Sequence, residues 1–145
     1  MDSKEFKNLF DETAKKNGFE KAFGGWFKES SECITVLDLQ KSNFGNYYEL
    51  NIKTFVQGMF GNNYTKNKNL IKKQIGDIFT RQPNEYSDVL DFDTLMDLDI
   101  RKNKLKVLFN EFIVPFADKS LTRFGLKELA KQEIIFIPPA VKEEL

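Results

Sequence analysis

The chain contains no histidine. Nucleophilic triads with an imidazole base are therefore excluded, as are His-ligated metal sites. An enzyme built on this sequence has to work with carboxylates, Lys, Tyr or a cofactor. The single cysteine, Cys33, excludes an intramolecular disulfide. Cys33 opens an apolar run with no Arg beside it, so a buried inert thiol is the favoured reading. There is no CxxC, no phosphate-cradling loop and no dinucleotide fingerprint. No apolar run approaches the ~18 residues of a membrane span. The opening Met1-Asp-Ser-Lys-Glu-Phe6 lacks the basic segment and apolar stretch of a secretory leader. A cytoplasmic location is the default expectation, and Asn63-Tyr-Thr65 carries no weight as a glycosylation sequon. Arginine occurs only at 81, 101 and 123, and 22 basic residues balance 22 acidic ones. A net charge of zero supplies no field to gather nucleic acid or anionic lipid. The scarcity of Arg removes the usual bidentate phosphate contact. Neither nucleic acid nor a membrane is an expected partner.

What is present suits an ordinary folded protein. A chain of 145 residues fits one domain spanning 1–145. Such a chain buries about 70% of its unfolded surface, so its core needs no disulfide and no metal. No cofactor is expected. Fifteen Phe and one Trp supply the apolar volume.

The clearest pattern runs from Glu32 to Gln57. Tyr48, Leu50, Ile52, Thr54 and Val56 alternate with Tyr47, Glu49, Asn51, Lys53 and Gln57, the period of a half-buried strand. Before it, Cys33 to Lys41 is apolar on both parities, as a central strand is. Ser42-Asn-Phe-Gly-Asn46 supplies the turn. Upstream, Ser3 to Lys16 predicts a helix through Phe6, Leu9, Phe10 and Thr13, capped by Asp2 or Ser3 and stopped by Asn17-Gly18. A strand follows, interrupted at Gly24-Gly25 as a turn or a bulge and resuming at Trp26-Phe-Lys28. Gly58 to Asn69 predicts a long loop. Ile75–Arg81 and Asp88–Asp93 predict two short strands about a turn at Gln82-Pro-Asn-Glu85.

The second half turns helical. Leu105, Leu108, Phe109, Phe112, Ile113 and Phe116 form one stripe, with Pro115 expected to kink or end it. Leu105, Leu108, Phe109, Phe112 and Phe116 should face the sheet, leaving Lys102, Lys104, Lys106, Asn110 and Glu111 in solvent. An exposed Phe112 would instead make the stripe a homodimer interface. Asp118 or Ser120 should cap a further helix with Leu121, Phe124, Leu126 and Leu129 available for burial. Ile134–Ile137 predicts a last strand, stopped by Pro138-Pro139, and 140–145 a frayed end. The fold expected is α+β: an antiparallel sheet of about five strands with helices packed on one face, an N-terminal helix and a C-terminal helical half. A meander is expected through the first three strands.

Taken in order, several short motifs resemble the bacterial DUF4304 family. They are the opening helix ending in Asn17-Gly-Phe19, Trp26-Phe27, Val36-Leu-Asp-Leu-Gln-Lys-Ser42, Tyr48-Glu-Leu-Asn-Ile52 and Ile113-Val-Pro-Phe-Ala117. The resemblance implies a small α+β domain with no established activity, and it carries no catalytic residues.

Three clusters offer chemistry. Asp88, Asp91, Asp93, Asp97 and Asp99 are the best carboxylate set. As a calcium loop starting at Asp91 they fail, because the sixth position is Met96 rather than Gly and the twelfth is Lys102 rather than Glu. Acids preceding a helix and favouring its dipole is the preferred reading. Lys66, Lys68, Lys72 and Lys73, after Tyr64, form a basic patch whose plainer reading is a solvated loop. Tyr47, Glu49, Asn51 and Lys53 share a strand face able to bind a partner if no helix covers it. The Gln40 and Asn51 amides are candidates to bridge strands.

The expected role is a non-enzymatic binding protein with an unidentified protein partner, as monomer or homodimer. Its candidate surface is Tyr47, Glu49, Asn51, Lys53, Tyr64, Lys66 and Lys68. One alternative is an immunity protein that neutralises a toxin. Another is a carboxylate- or metal-dependent hydrolase using segment 88–99, and a third is nucleic-acid binding through the lysine patch.

Overall fold

The structure is a computed structural model describing residues 1–145. Helix α1 (Ser3–Lys16) begins at Asp2, whose carboxylate accepts from Glu5 N at 2.8 Å. That bond satisfies one of the donors a helix start leaves open. Its stripe buries Phe6, Phe10 and Ala14. At its end Gly18 adopts φ +86°. Phe19 N then donates to Ala14 O at 3.0 Å and Gly18 N to Lys15 O at 3.2 Å. This Schellman stop needs a residue tolerant of positive φ, as Asn17-Gly18 predicts.

Five strands follow: β1 (Glu20–Ala22), β2 (Gly25–Glu29), β3 (Cys33–Lys41), β4 (Tyr48–Val56) and β5 (Ile78–Arg81). They pair antiparallel in the order β1-β2-β3-β4-β5, so the meander expected for three strands extends to all five. The interruption is a turn, not a bulge. Phe23 (φ 54°) and Gly24 (φ 85°) form the two-residue loop, and Ala22 pairs with Gly25.

Side-chain parity divides the sheet into two faces. Trp26, Leu37, Leu39, Leu50, Ile52 and Val56 enter the main core with the helices of both ends of the chain. The opposite face carries Phe27, Ile34, Val36 and Phe55 at one end. Its other end carries Asp38, Gln40, Asn51 and Arg81, aligned by the pairs Asp38↔Asn51 and Asn51↔Arg81. The predicted loop at 58–69 is not wholly irregular. It holds a 3-10 turn (Met59–Gly61) and runs into α2 (Lys68–Lys72), whose Leu70 and Ile71 cover the apolar end of this second face. Asn67 caps α2 through Asn69 N at 2.8 Å.

The expected strand at 88–93 does not form. Asn84–Leu90 is a 3-10 helix, and one isolated bridge, Tyr47↔Asp91, is all the pairing the segment makes. Arg101 prevents a ladder by claiming the carbonyls of Asp88, Val89, Asp91 and Thr94. Helix α3 (Leu98–Leu108) then runs through a π turn (Phe109–Ile113) into α4 (Val114–Ser120). The helix therefore passes Pro115 instead of ending there. The π turn lies where the missing Pro115 N–H and its ring would disturb the ladder.

Thr122, not Asp118 or Ser120, caps α5 (Arg123–Lys131) through Gly125 N at 2.9 Å. Leu126 and Leu129 are buried, but Phe124 is 72% exposed. Gly125 permits the close α4–α5 approach, since a Cβ there would overlap the Lys119 carbonyl. Ile134–Ile137 alternates as a strand does, with Ile135 and Ile137 buried, yet it pairs with nothing. The end is not frayed. Helix α6 (Pro139–Glu144) buries Val141, and Arg123 Nη1 donates to Glu144 O at 2.7 Å. No helix is long and apolar enough to cross a membrane.

Candidate functional site

The polar end of the second sheet face lies beside α2 and the segment that follows it. Between them is an open groove of about 540 Å³. Its floor is Asp38 and Gln40 of β3, Asn51 and Lys53 of β4, and Phe79 and Arg81 of β5. Strand parity puts all six on one side, because successive residues of a strand point to opposite faces. Lys72, Lys73 and Ile75 form one rim. Lys7 of α1 and Lys41, whose ammonium donates to Asn46 Oδ1 at 2.8 Å, line its margin. Lys53, Lys72, Lys73 and Arg81 thus outnumber the carboxylates Asp38 and Glu49 here, in a chain whose total charge is zero.

Two floor residues are almost sealed, Asn51 and Lys53 being each 5% exposed. Lys53 Nζ donates to the α2 carbonyls of Leu70 at 3.2 Å and Ile71 at 2.6 Å. An ammonium at a helix C-terminus is favourably placed against the dipole, and here it ties α2 to the sheet. Asp38 lies 3.9 Å away. Burial is the main influence on the Lys53 ammonium and lowers its pKa, with Asp38 opposing and Lys72 reinforcing the shift.

Asn51 is the hub. Its amide nitrogen donates to Gln40 Oε1 at 2.9 Å and Asp38 Oδ2 at 3.4 Å. Its oxygen accepts from Arg81 Nε at 3.0 Å. The Gln40–Asn51 bridge across β3 and β4 is the one the sequence suggests. The Arg81 guanidinium also lies 5.6 Å from the centre of the Phe79 ring, within cation–π range. Its Nε is 3.9 Å from Glu49. The guanidinium is thus tethered through Nε to Asn51, while Nη1 and Nη2 donate to no atom of the chain.

The structure separates the sequence candidates. Asn51 and Lys53 lie in the groove, and Glu49 borders it through Arg81. Tyr47 lines a smaller neighbouring hollow with Lys41 and Phe44. Tyr64 belongs to the apolar end: its ring lies 5.0 Å from Phe55 and its hydroxyl donates to Asp77 at 3.2 Å. Lys66 is held by Glu20 of β1 at 2.9 Å, and Lys68 sits exposed at the start of α2. The lysine patch is therefore split, with only Lys72 and Lys73 reaching the groove. Sequence reasoning missed Arg81, whose parity with Phe79 in a strand paired to β4 was the available signal.

The acidic segment does not converge. Asp88 pairs with Lys104, Asp91 accepts from Asp93 N at 3.0 Å, and Asp99 lies in the first turn of α3. No three His, Cys, Asp or Glu side chains are grouped to hold a metal. Cys33 is buried, and burial, with Glu32 adding, pushes its thiol up to about 12.

A five-strand meander with α1 and the C-terminal helices on one face, and a short helix half-covering the other, defines a small α+β protein. Residues 10–119 match the family described as Domain of unknown function (DUF4304), and the chain belongs to that family. The match contains α1 from Phe10, the whole sheet, α2 and the long helix, and so the entire groove floor. No curated protein and no solved structure matches the chain.

Proposed function

We propose that this protein is a non-enzymatic binding domain and that its partner, another protein, docks in the groove over Asn51 and Lys53. One observation carries the reading: Arg81, Lys72 and Lys73 border a groove where cations outnumber carboxylates, in a chain with no net charge. A field of one sign in a concave site selects and orients a partner of the opposite sign. The other groups with chemical potential support it less. Cys33 is sealed, and the acids of 88–99 are spent on Lys104, on their own loop or on the start of α3. Neutralising a toxin is one form such binding takes, and a toxin gene immediately upstream is the observation that would select it.

The test is a photo-crosslinking residue placed at Ile75, an exposed position on the groove rim, with the same residue at Phe136 as control. In cells of the source organism, Ile75 should yield one stoichiometric protein adduct and Phe136 none. Equal labelling from both positions, or none from Ile75, would remove the groove as the partner surface.

A further inference from the structure

The groove's chemistry narrows the partner, given the reading above. We infer that its occupant is an acidic peptide segment, with one side-chain carboxylate held by the free edge of Arg81. Asn51 accepts from its Nε, and the guanidinium lies 5.6 Å from the centre of the Phe79 ring, a cation–π distance. The Asn51 bond holds the guanidinium at Nε, and the edge carrying Nη1 and Nη2 is left without a partner in the chain. Asn51 is itself restrained by Gln40 and Asp38, so little conformational freedom is lost when the edge is used. A planar pair of donors matches the two oxygens of a carboxylate, and such charge-assisted pairs are the strong ones.

Lys72 and Lys73 extend the positive field along the rim, and neither makes an ion pair within the chain. The occupant thus carries more than one negative charge. Lys53 is not available to it, since its ammonium is committed to the Leu70 and Ile71 carbonyls. Asp38 decides between anionic polymers. It sits on the groove floor beside Asn51, and an entering chain meets a carboxylate among the cations. A phosphodiester backbone offers only negative charge there. A peptide offers N–H donors between its carboxylates, which suits the acceptors Asp38 and Gln40.

The test measures binding of a fluorescent decapeptide of alternating Glu and Gly, with a single-stranded oligothymidylate and inorganic phosphate as separate probes. The peptide should bind the wild type and weaken as salt is raised. Arg81→Gln should weaken it about tenfold or more, because a charged hydrogen-bonding pair is lost. Arg81→Lys should recover only part, since it restores the charge without the fork. Lys102→Gln with Lys106→Gln, on exposed positions of α3, should leave binding unchanged. Arg81 is itself exposed, so its variants keep the fold. Tighter binding of the oligonucleotide, displacement of the peptide by phosphate alone, or indifference to Arg81→Gln would overturn the inference. If the peptide fails while Ile75 still captures its adduct, the acidic-segment inference falls and the binding reading stands. If both fail, both fall.

Discussion

Arg101 and Lys53 are both charged, both nearly sealed, and both spend their donors on backbone carbonyls. Arg101 is 3% exposed and donates to the carbonyls of four residues between Asp88 and Thr94. It also lies 5.5 Å from the Phe92 ring centre. It therefore shapes the segment that the sequence pattern reads as a strand. Arg101→Met should destabilise the protein by about 3–5 kcal/mol in urea unfolding, because buried carbonyls lose a charged donor. Arg101→Lys should recover little of this, as a single ammonium cannot reach all four. A loss below ~1 kcal/mol for Arg101→Met would show that water replaces the guanidinium easily.

Lys53 makes a pH prediction. Burial puts its folded-state pKa below the free-lysine value of 10.5. The native state then binds that proton less tightly than the unfolded chain does. Stability contributed by this group must rise as pH climbs from the folded value toward 10.5, and it is lowest below that window. Tyr64 and Tyr86, whose hydroxyls are raised, act oppositely in the same alkaline range. The comparison that isolates Lys53 is wild type against Lys53→Met. Wild type should gain on the variant as pH rises through the window. A constant difference in urea midpoint would contradict the shift.

At the scale of elements, the long helix behaves as its stripe dictates. Leu105, Leu108, Phe109 and Phe116 are buried, while Lys102, Lys104, Lys106, Asn110 and Glu111 are exposed. Phe112 departs: it is half-buried between the rings of Tyr86 and Phe116. Phe109→Ala should cost about 3–5 kcal/mol and Phe112→Ala distinctly less, since a cavity forms only where the site is enclosed. Lys106→Ala should move the midpoint by less than about 0.5 kcal/mol. Equal losses at 109 and 112 would mean that Phe112 is covered in solution, as a homodimer would cover it.

Periodicity made β3, β4, α1 and this helix readable, because each is long enough for its pattern to repeat. Helices α2 and α6 span five and six residues, too short for an apolar stripe to stand out. The Ile134–Ile137 segment alternates because one side meets the core, which a lone extended chain does as well as a strand. Arg101 had a legible sign. It precedes Leu105 by one helical turn and so occupies the stripe, although a charge there is not read as core. Of the groove residues, β4 parity puts Asn51 and Lys53 on one sheet face. Arg81, Lys72 and Lys73 joined them only through β5 pairing and α2 docking, contacts between segments that no local pattern encodes.

At the scale of the whole molecule, the balance of 22 basic and 22 acidic residues conceals an uneven layout. One sheet face is given to the main core. The other is closed by α2 at its apolar end and left open at its cationic end. The family match covers that face entirely. The open end is the proposed docking site for a protein partner. The most direct measurement is recovery of a partner from native lysate by wild type, by Lys72→Glu with Lys73→Glu, and by Lys102→Glu with Lys106→Glu. All four lysines are exposed, and the two pairs reverse the same charge on different faces. Wild type and the α3 pair should retain a stoichiometric protein that the groove pair loses. Retention by the groove pair, or equal loss from both, would contradict the account.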